Sequence, residues 1–401
     1  MRRLHGRVIF RGKARGLALV SPTAIGFLGG VDPETGIVIE RGHPLYGQCV
    51  AGRVLVFPTG KGSTVGSYTL YRLSKRGLAP AAIINARSEA IVAVGAIMAG
   101  IPMVDLVDIS QITTGDVVEV DGEDVVIGGE RVTEYPRLVF VKLGGSLITD
   151  KDVEATARPD VIRRLAEEMR RALDEHPDLR LLVGHGSGSF GHVVAQRYQV
   201  QSGCSDWHGY ALTSAAATRL NRIVTDAFLD AGVPVVSIQP SASARCREGE
   251  LIDLAVHPAQ EVLKHGLVPL VYGDVALDEV WGTTIISTEA ILVYLARALG
   301  PQRILLMGEV EGVFSADPRR DPDAHLIPVI NASRVEEAER VLGGSHAVDV
   351  TGGMRSKVHL MMDLVREFPD LRVRLLSGLQ AGLLERALGD PEFRAGTLIT
   401  A

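Results

Sequence analysis

Cysteine is scarce in this 401-residue chain. Cys49, Cys204 and Cys246 are widely spaced and form no CxxC pair, which argues against a disulfide framework, a zinc site or an iron–sulfur cluster held by this chain and points to a reducing cytoplasm. Aromatic residues make up 5% and no block of Lys and Arg interleaves with them; with a net charge of −6 and a pI near 6.0, nucleic acid is not an expected partner. No apolar run reaches about 18 residues, so no membrane contact is expected. Met1-Arg2-Arg3-Leu4-His5-Gly6 lacks the apolar stretch of an export signal. Lysine is the most telling shortage: from Arg137 onward positive charge is almost all arginine, and the only lysines are Lys142, Lys151, Lys264 and Lys357.

Three of those four lie in or beside glycine-rich segments: Lys142-Leu143-Gly144-Gly145-Ser146, Gly186-Ser187-Gly188-Ser189-Phe190-Gly191-His192 and Asp349-Val350-Thr351-Gly352-Gly353-Met354-Arg355-Ser356-Lys357. The first two follow apolar runs, Leu138 to Val141 and Leu181 to Val183, where buried strands would end and open α/β sheets place ligands. Glycine lets backbone N–H groups close around phosphate oxygens, above all where a turn opens a helix. Phosphoryl transfer is served by cations that hold donor and acceptor in line and neutralise the moving charge. Lys142 and Lys357 suit that role, whereas Lys264 reads as the end of a helix.

At 42.9 kDa and 46% hydrophobic content the chain exceeds one typical core and is expected to form two α/β domains. Residues 1–130 read as a small β/α unit of short strands, with helices over 67–76 and 88–99 and a closing hairpin, 117–120 and 124–127, turning at Asp121-Gly122. Turn formers up to Pro136 mark a boundary. From 137 to 401 strands and helices alternate: helices over 159–175, 212–231, 289–299 and 355–367, and strands over 180–184, 234–238, 268–272 and 303–307. That alternation predicts a three-layer αβα domain.

With these motifs laid out, Arg137 to Ala401 resembles the amino acid kinase family and, within it, the isopentenyl phosphate kinase branch, which phosphorylates isopentenyl phosphate with Mg-ATP. The resemblance implies that Lys142 bridges donor and acceptor phosphates, that Lys357 and Lys151 face ATP with Gly144 and Gly352, and that Gly145, Gly186, Ser187, Gly188, Gly191 and His192 hold the acceptor. An imidazole at His192 can donate to a phosphate oxygen. Asp274 and Glu289 are candidate carboxylates for orienting the lysines, and no metal-ligating set is read from the sequence. Two segments depart from the family pattern. Ile286-Ser287-Thr288-Glu289 stands where Ser-Gly-Asp is common, and Met307-Gly308-Glu309-Val310-Glu311-Gly312 where Thr-Asp-Val-Asp-Gly is common. The departures leave open a non-catalytic sensing or scaffolding module, and acceptor size leaves open another small phosphorylated or phosphonate acceptor. Kinase relatives are often homodimers.

Residues 1–130 resemble the small, swivel-like subunit of the aconitase X family, which includes phosphomevalonate dehydratase. The segments are Ser21 to Ala24, Gly29 to Gly36, His43 to Gln48, Gly60 to Tyr68 and Ile101 to Asp105. The resemblance makes Ser63 the proton-abstracting base, with Lys61 and the amides opening a helix over 64–76 placed to stabilise its oxyanion; Ser63 could also cap that helix, and the two roles are compatible. It also implies a separate aconitase X-type large subunit carrying the iron–sulfur cluster. Joined on one chain, the halves suggest two steps of a modified mevalonate route in isoprenoid synthesis, with phosphomevalonate favoured over hydroxyproline as dehydratase substrate.

Overall fold

The computed structural model describes residues 2–128, 135, 137–201, 203, 207–316, 321, 323–333 and 354–401. Its chain divides into two compact units, Met1–Val132 and Thr133–Ala401.

In the first unit the strands Lys13–Val20, Val54–Phe57, Ala82–Asn85 and Met103–Asp105 run parallel in that order. Helices Gly66–Lys75 and Ala90–Ala99 make the crossovers between them and pack on each other. Short apolar strands buried on both faces suit this parallel arrangement. Leu55, Phe57 and Ile83 bury against the helices through Leu70, Leu73 and Val92, while Val54, Val56 and Ile84 form a second layer with Val118 and Val125. The hairpin of Val117–Asp121 and Asp124–Ile127 turns at Gly122, whose φ of +60° suits glycine. The sequence did not announce Arg2–His5, which pairs antiparallel with Asp124–Ile127, or Arg7–Phe10, which closes the other edge of the sheet. The second helix begins later than the predicted 88. Glu89 is its N-cap, its carboxylate accepting from Ile91 N and Val92 N, both at 3.0 Å.

The second unit is the expected three-layer sandwich. Its eight-stranded sheet runs Val235–Ser237, Val268–Tyr272, Arg180–His185, Leu138–Leu143, Arg303–Gly308, Arg372–Ser377, Thr397–Thr400, Val329–Asn331. The first six strands are parallel. One face packs on helices Thr288–Leu299 and Met354–Glu367, the other on Pro159–Glu175, Trp207–Asp230 and Leu383–Gly389. A four-stranded sheet, Glu250–Asp253, Arg245–Arg247, Asp274–Asp278 and Gly282–Ile286, was not foreseen. Its alternation is masked by turn residues at Gly249 and Gly282, both at positive φ. The long helix starts at Trp207 rather than 212, and its Gly209 fits closely under Tyr198: a Cβ there would lie 2.4 Å from the tyrosine Cβ.

Candidate active site

Lys142 is the penultimate residue of a wholly buried strand, Leu138–Leu143, and is itself only 6% exposed. A buried ammonium needs a counter-charge. Glu289 supplies it from the first turn of the helix Thr288–Leu299, whose N-cap Ser287 accepts from Ala290 N at 3.1 Å. Glu289 Oε1 lies 3.0 Å from Lys142 Nζ and 3.7 Å from Lys357 Nζ, the latter rising from the first turn of the helix Met354–Glu367. One carboxylate oxygen therefore holds both lysines at the C-terminal ends of the strands. Burial alone would raise the Glu289 carboxyl, but Lys142 and Lys357 outweigh it and hold it below the usual carboxylate range. The helix reaches this position because Gly184, the register neighbour of Lys142, has no side chain: a Cβ there would stand 2.7 Å from Thr288 Cγ2.

The glycine segments meet each other directly. A Cβ on Gly145 would lie 2.6 Å from Gly188 N, and one on Gly186 would lie 2.8 Å from Gly145 N. Gly188 has φ +48° and a Cβ there would strike Thr149 Oγ1 at 2.2 Å. Access for phosphate was the expected reason for these glycines; the apposition of two backbones is a second and stricter one. Thr149 ties the loops together, donating to Gly145 O at 2.8 Å and accepting from Ser189 N at 3.1 Å. Ser189 Oγ is buried without a partner among the described residues. Gly144 sits against Met307 O, 3.0 Å from where its Cβ would be. Ser187 is the N-cap of the helix Gly188–Arg197, which carries Gly191 and His192. His192 is exposed, yet partial desolvation by the groups around it, then the nearby Lys357 and Lys142, push its imidazole below the ordinary histidine value.

Lys151 pairs with Glu309 at 2.8 Å, and Arg158 reaches the same carboxylate at 3.2 Å. Asp274, 3% exposed, accepts from Ser241 N at 3.2 Å and Val275 N at 2.9 Å, so it fastens the 237–242 loop; burial pushes its carboxyl up. His185, earlier in the second glycine segment, is fully buried and stacked on Tyr272, with Nδ1 3.1 Å from Gly186 O and Nε2 against Asn221. Burial keeps this ring neutral, so it braces the loop. Gly352 lies outside the described residues.

The Amino acid kinase family profile matches residues 137–376. The chain belongs to the amino acid kinase family. An isopentenyl phosphate kinase from Methanothermobacter thermautotrophicus is 35% identical over 273 residues, 66% of this chain and 99% of that protein. A solved isopentenyl phosphate kinase, 32% identical, superposes with a TM-score of 0.56 over 66% of this chain and 100% of its own. Residues 3–128 match the aconitase X swivel domain. A phosphomevalonate dehydratase small subunit from Methanocella arvoryzae is 59% identical over 127 residues, 31% of this chain and 96% of that protein.

The kinase domain thus brings Lys142, Lys357, His192 and Glu289 together with the apposed loops. In the swivel domain Ser63 is exposed, and its Oγ accepts from Val65 N at 3.4 Å. The helix, expected from 67 by its pattern and from 64 in the account of Ser63, begins at Gly66, with Val65 as N-cap and no side-chain cap, so Ser63 does not cap it. The turn 63–66, closed by Gly66 N donating to Ser63 O, delays the helix. Lys61 is paired with Glu40. Sequence reasoning missed Thr149, Arg158 and Asn221. The signal for Thr149 was its place four residues after Gly145, one helical turn on; Arg158 and Asn221 gave none.

Proposed function

We propose that this chain transfers the γ-phosphoryl group of ATP to isopentenyl phosphate, and that its swivel domain serves as the small subunit of a phosphomevalonate dehydratase. The single observation that carries the kinase reading is the Lys142–Glu289–Lys357 cluster at the strand ends with His192 beside it. In the transfer, an oxygen of the acceptor phosphate attacks the γ-phosphorus, the bond to the β–γ bridging oxygen breaks, and ADP leaves. Lys142 and Lys357 offset the charge on the moving group, and Glu289 keeps their positions fixed before substrate arrives. His192, neutral in the free protein, donates to the acceptor phosphate. Lys151 faces the nucleotide from its pairing with Glu309. Mg²⁺ enters as part of the Mg-ATP substrate, carried by phosphate oxygens. The Glu289 and Gly308-Glu309 departures gave the sensing-module alternative its motive. Glu289 and Glu309 both keep cationic partners, which counts against it.

The deciding assay couples ADP release to isopentenyl phosphate, with a short phosphonate as comparison acceptor. Turnover is expected with isopentenyl phosphate, and Lys357→Ala and His192→Ala are each expected to lose about tenfold or more in kcat/KM. ATP binding without turnover on either acceptor would remove the kinase reading. A second measurement uses the lowered imidazole. A bound phosphate dianion favours the protonated ring, so acceptor binding near pH 7 should take up more protons in the native chain than in His192→Gln. Calorimetry in buffers of different ionisation heat reads this, and equal uptake in both would place His192 away from the acceptor.

The dehydratase role requires a separate large subunit that brings the iron–sulfur cluster, with Ser63 as the base. The fused kinase favours phosphomevalonate as its substrate, and the setting is the cytoplasm.

A further inference from the structure

The opposite end of the kinase sheet gathers arginine. Arg303 and Arg372 are the first residues of adjacent parallel strands and are direct register partners; Arg374, two residues on, shares their face of the sheet. Like charges set directly opposite on a sheet repel. Arg303 is 7% exposed and spends its terminal nitrogens on the carbonyls of Ala387 (2.5 Å), Leu388 (2.8 Å) and Asp390 (3.3 Å), closing the end of the helix Leu383–Gly389. Its Nε is buried without a partner among the described residues. A void of about 10 Å³ beside this residue is lined by all three arginines and walled by Leu305 and Phe393. Burial first, then Arg137 and the other arginines, push the Arg303 guanidinium down to about 10. Two acids offset part of the charge. Glu392 pairs with Arg372 at 2.6 Å, but both are half exposed or more, and Asp390 turns one carboxylate oxygen to Glu392 N.

We infer that this arginine pocket is a second anion site, taking a phosphate-type oxyanion, free or as the terminal group of an ester, with Arg303 at its base and Arg372 and Arg374 on its oxygens. The pocket has room for one oxygen-sized group beneath its mouth, and the surplus of positive charge favours an anion oxygen there over water. By register Lys142 stands beside Leu306, three residues and roughly 10 Å along the strand from Arg303 and on the opposite face of the sheet, so the pocket is not the phosphate-transfer site.

The test uses the full chain carrying Lys142→Met and Lys357→Met, which disables the transfer site as a source of phosphate affinity. Thermal unfolding is followed against inorganic phosphate, methyl phosphate and chloride at matched ionic strength. Saturable stabilisation by phosphate or its ester beyond chloride is expected, and adding Arg374→Gln should weaken the midpoint about tenfold. Arg303→Gln is avoided because it would also uncap the helix; Arg372→Gln, at a half-exposed side chain, is the second variant and should act alike. Identical curves for all three salts, or titrations untouched by both substitutions, would overturn the site.

Discussion

Replacing Glu289 with glutamine is expected to lower kcat/KM for phosphoryl transfer by roughly 10²–10³, the range for removing a preorganised electrostatic partner, and to cost about 3 kcal/mol of stability. The substitution keeps the shape of the side chain and removes only its charge. Lys142 would then be buried without the 3.0 Å counter-ion that now balances it, and Lys357 would lose its 3.7 Å anchor. Steady-state kinetics and urea unfolding measure the two losses. The sign with pH follows from the lowered carboxyl: the stability contribution is present above the unfolded value of about 4.3 and is lost as pH falls through the lower folded value. The gap between native and variant unfolding energies should therefore narrow at acid pH. Glu289→Asp should recover part of the rate, since aspartate is common here in the family. An activity within threefold of native in Glu289→Gln would show that the lysines are positioned by something else.

The second large effect is expected from one added methyl group. Gly145→Ala puts a Cβ 2.6 Å from Gly188 N and 2.8 Å from Gly188 Cα. Both obstacles are backbone, so no flexible side chain can swing aside. The loops must part, and a displacement approaching 1 Å at a phosphate-transfer site costs about 10²-fold in kcat/KM, with about 1–3 kcal/mol lost to overpacking. Gly308→Ala serves as the control, because its Cβ would meet nothing closer than Val310 N at 4.0 Å. If Gly145→Ala and Gly308→Ala behaved alike, the apposition of the two loops would have no bearing on catalysis.

Much of this architecture was legible because its signals are local. The helix Pro159–Glu175 and the strand Val268–Tyr272 appear with their predicted bounds, one opened by proline, the other a buried apolar run. Lys142 and His192 could be singled out because lysine is rare in the second unit and glycine surrounds both positions. What joins them could not be read. Glu289 lies nearly 150 residues beyond Lys142, and the substitution of Glu for the usual Asp looked like a weakening; only the packing of its helix on Gly184 shows the longer side chain reaching both lysines. The arginine register is hidden for the same reason. Arg303 and Arg372 are neighbours only because the strands bearing them are. In the first unit, Arg2–His5 was missed since one leucine among two arginines and a histidine carries no alternation; their partner, not their composition, makes them a strand.

That pairing of Arg2–His5 with Asp124–Ile127 bears on how the chain is made. Each hydrophobic core draws its residues from one unit alone, so the first can close while the second is still being translated. Its opening strand, however, leaves the ribosome more than a hundred residues ahead of its partner, a wait on the order of ten seconds at ordinary elongation rates. During synthesis the swivel domain is thus held open at its first strand until its last hairpin emerges, and only then does the growing kinase follow behind a finished neighbour.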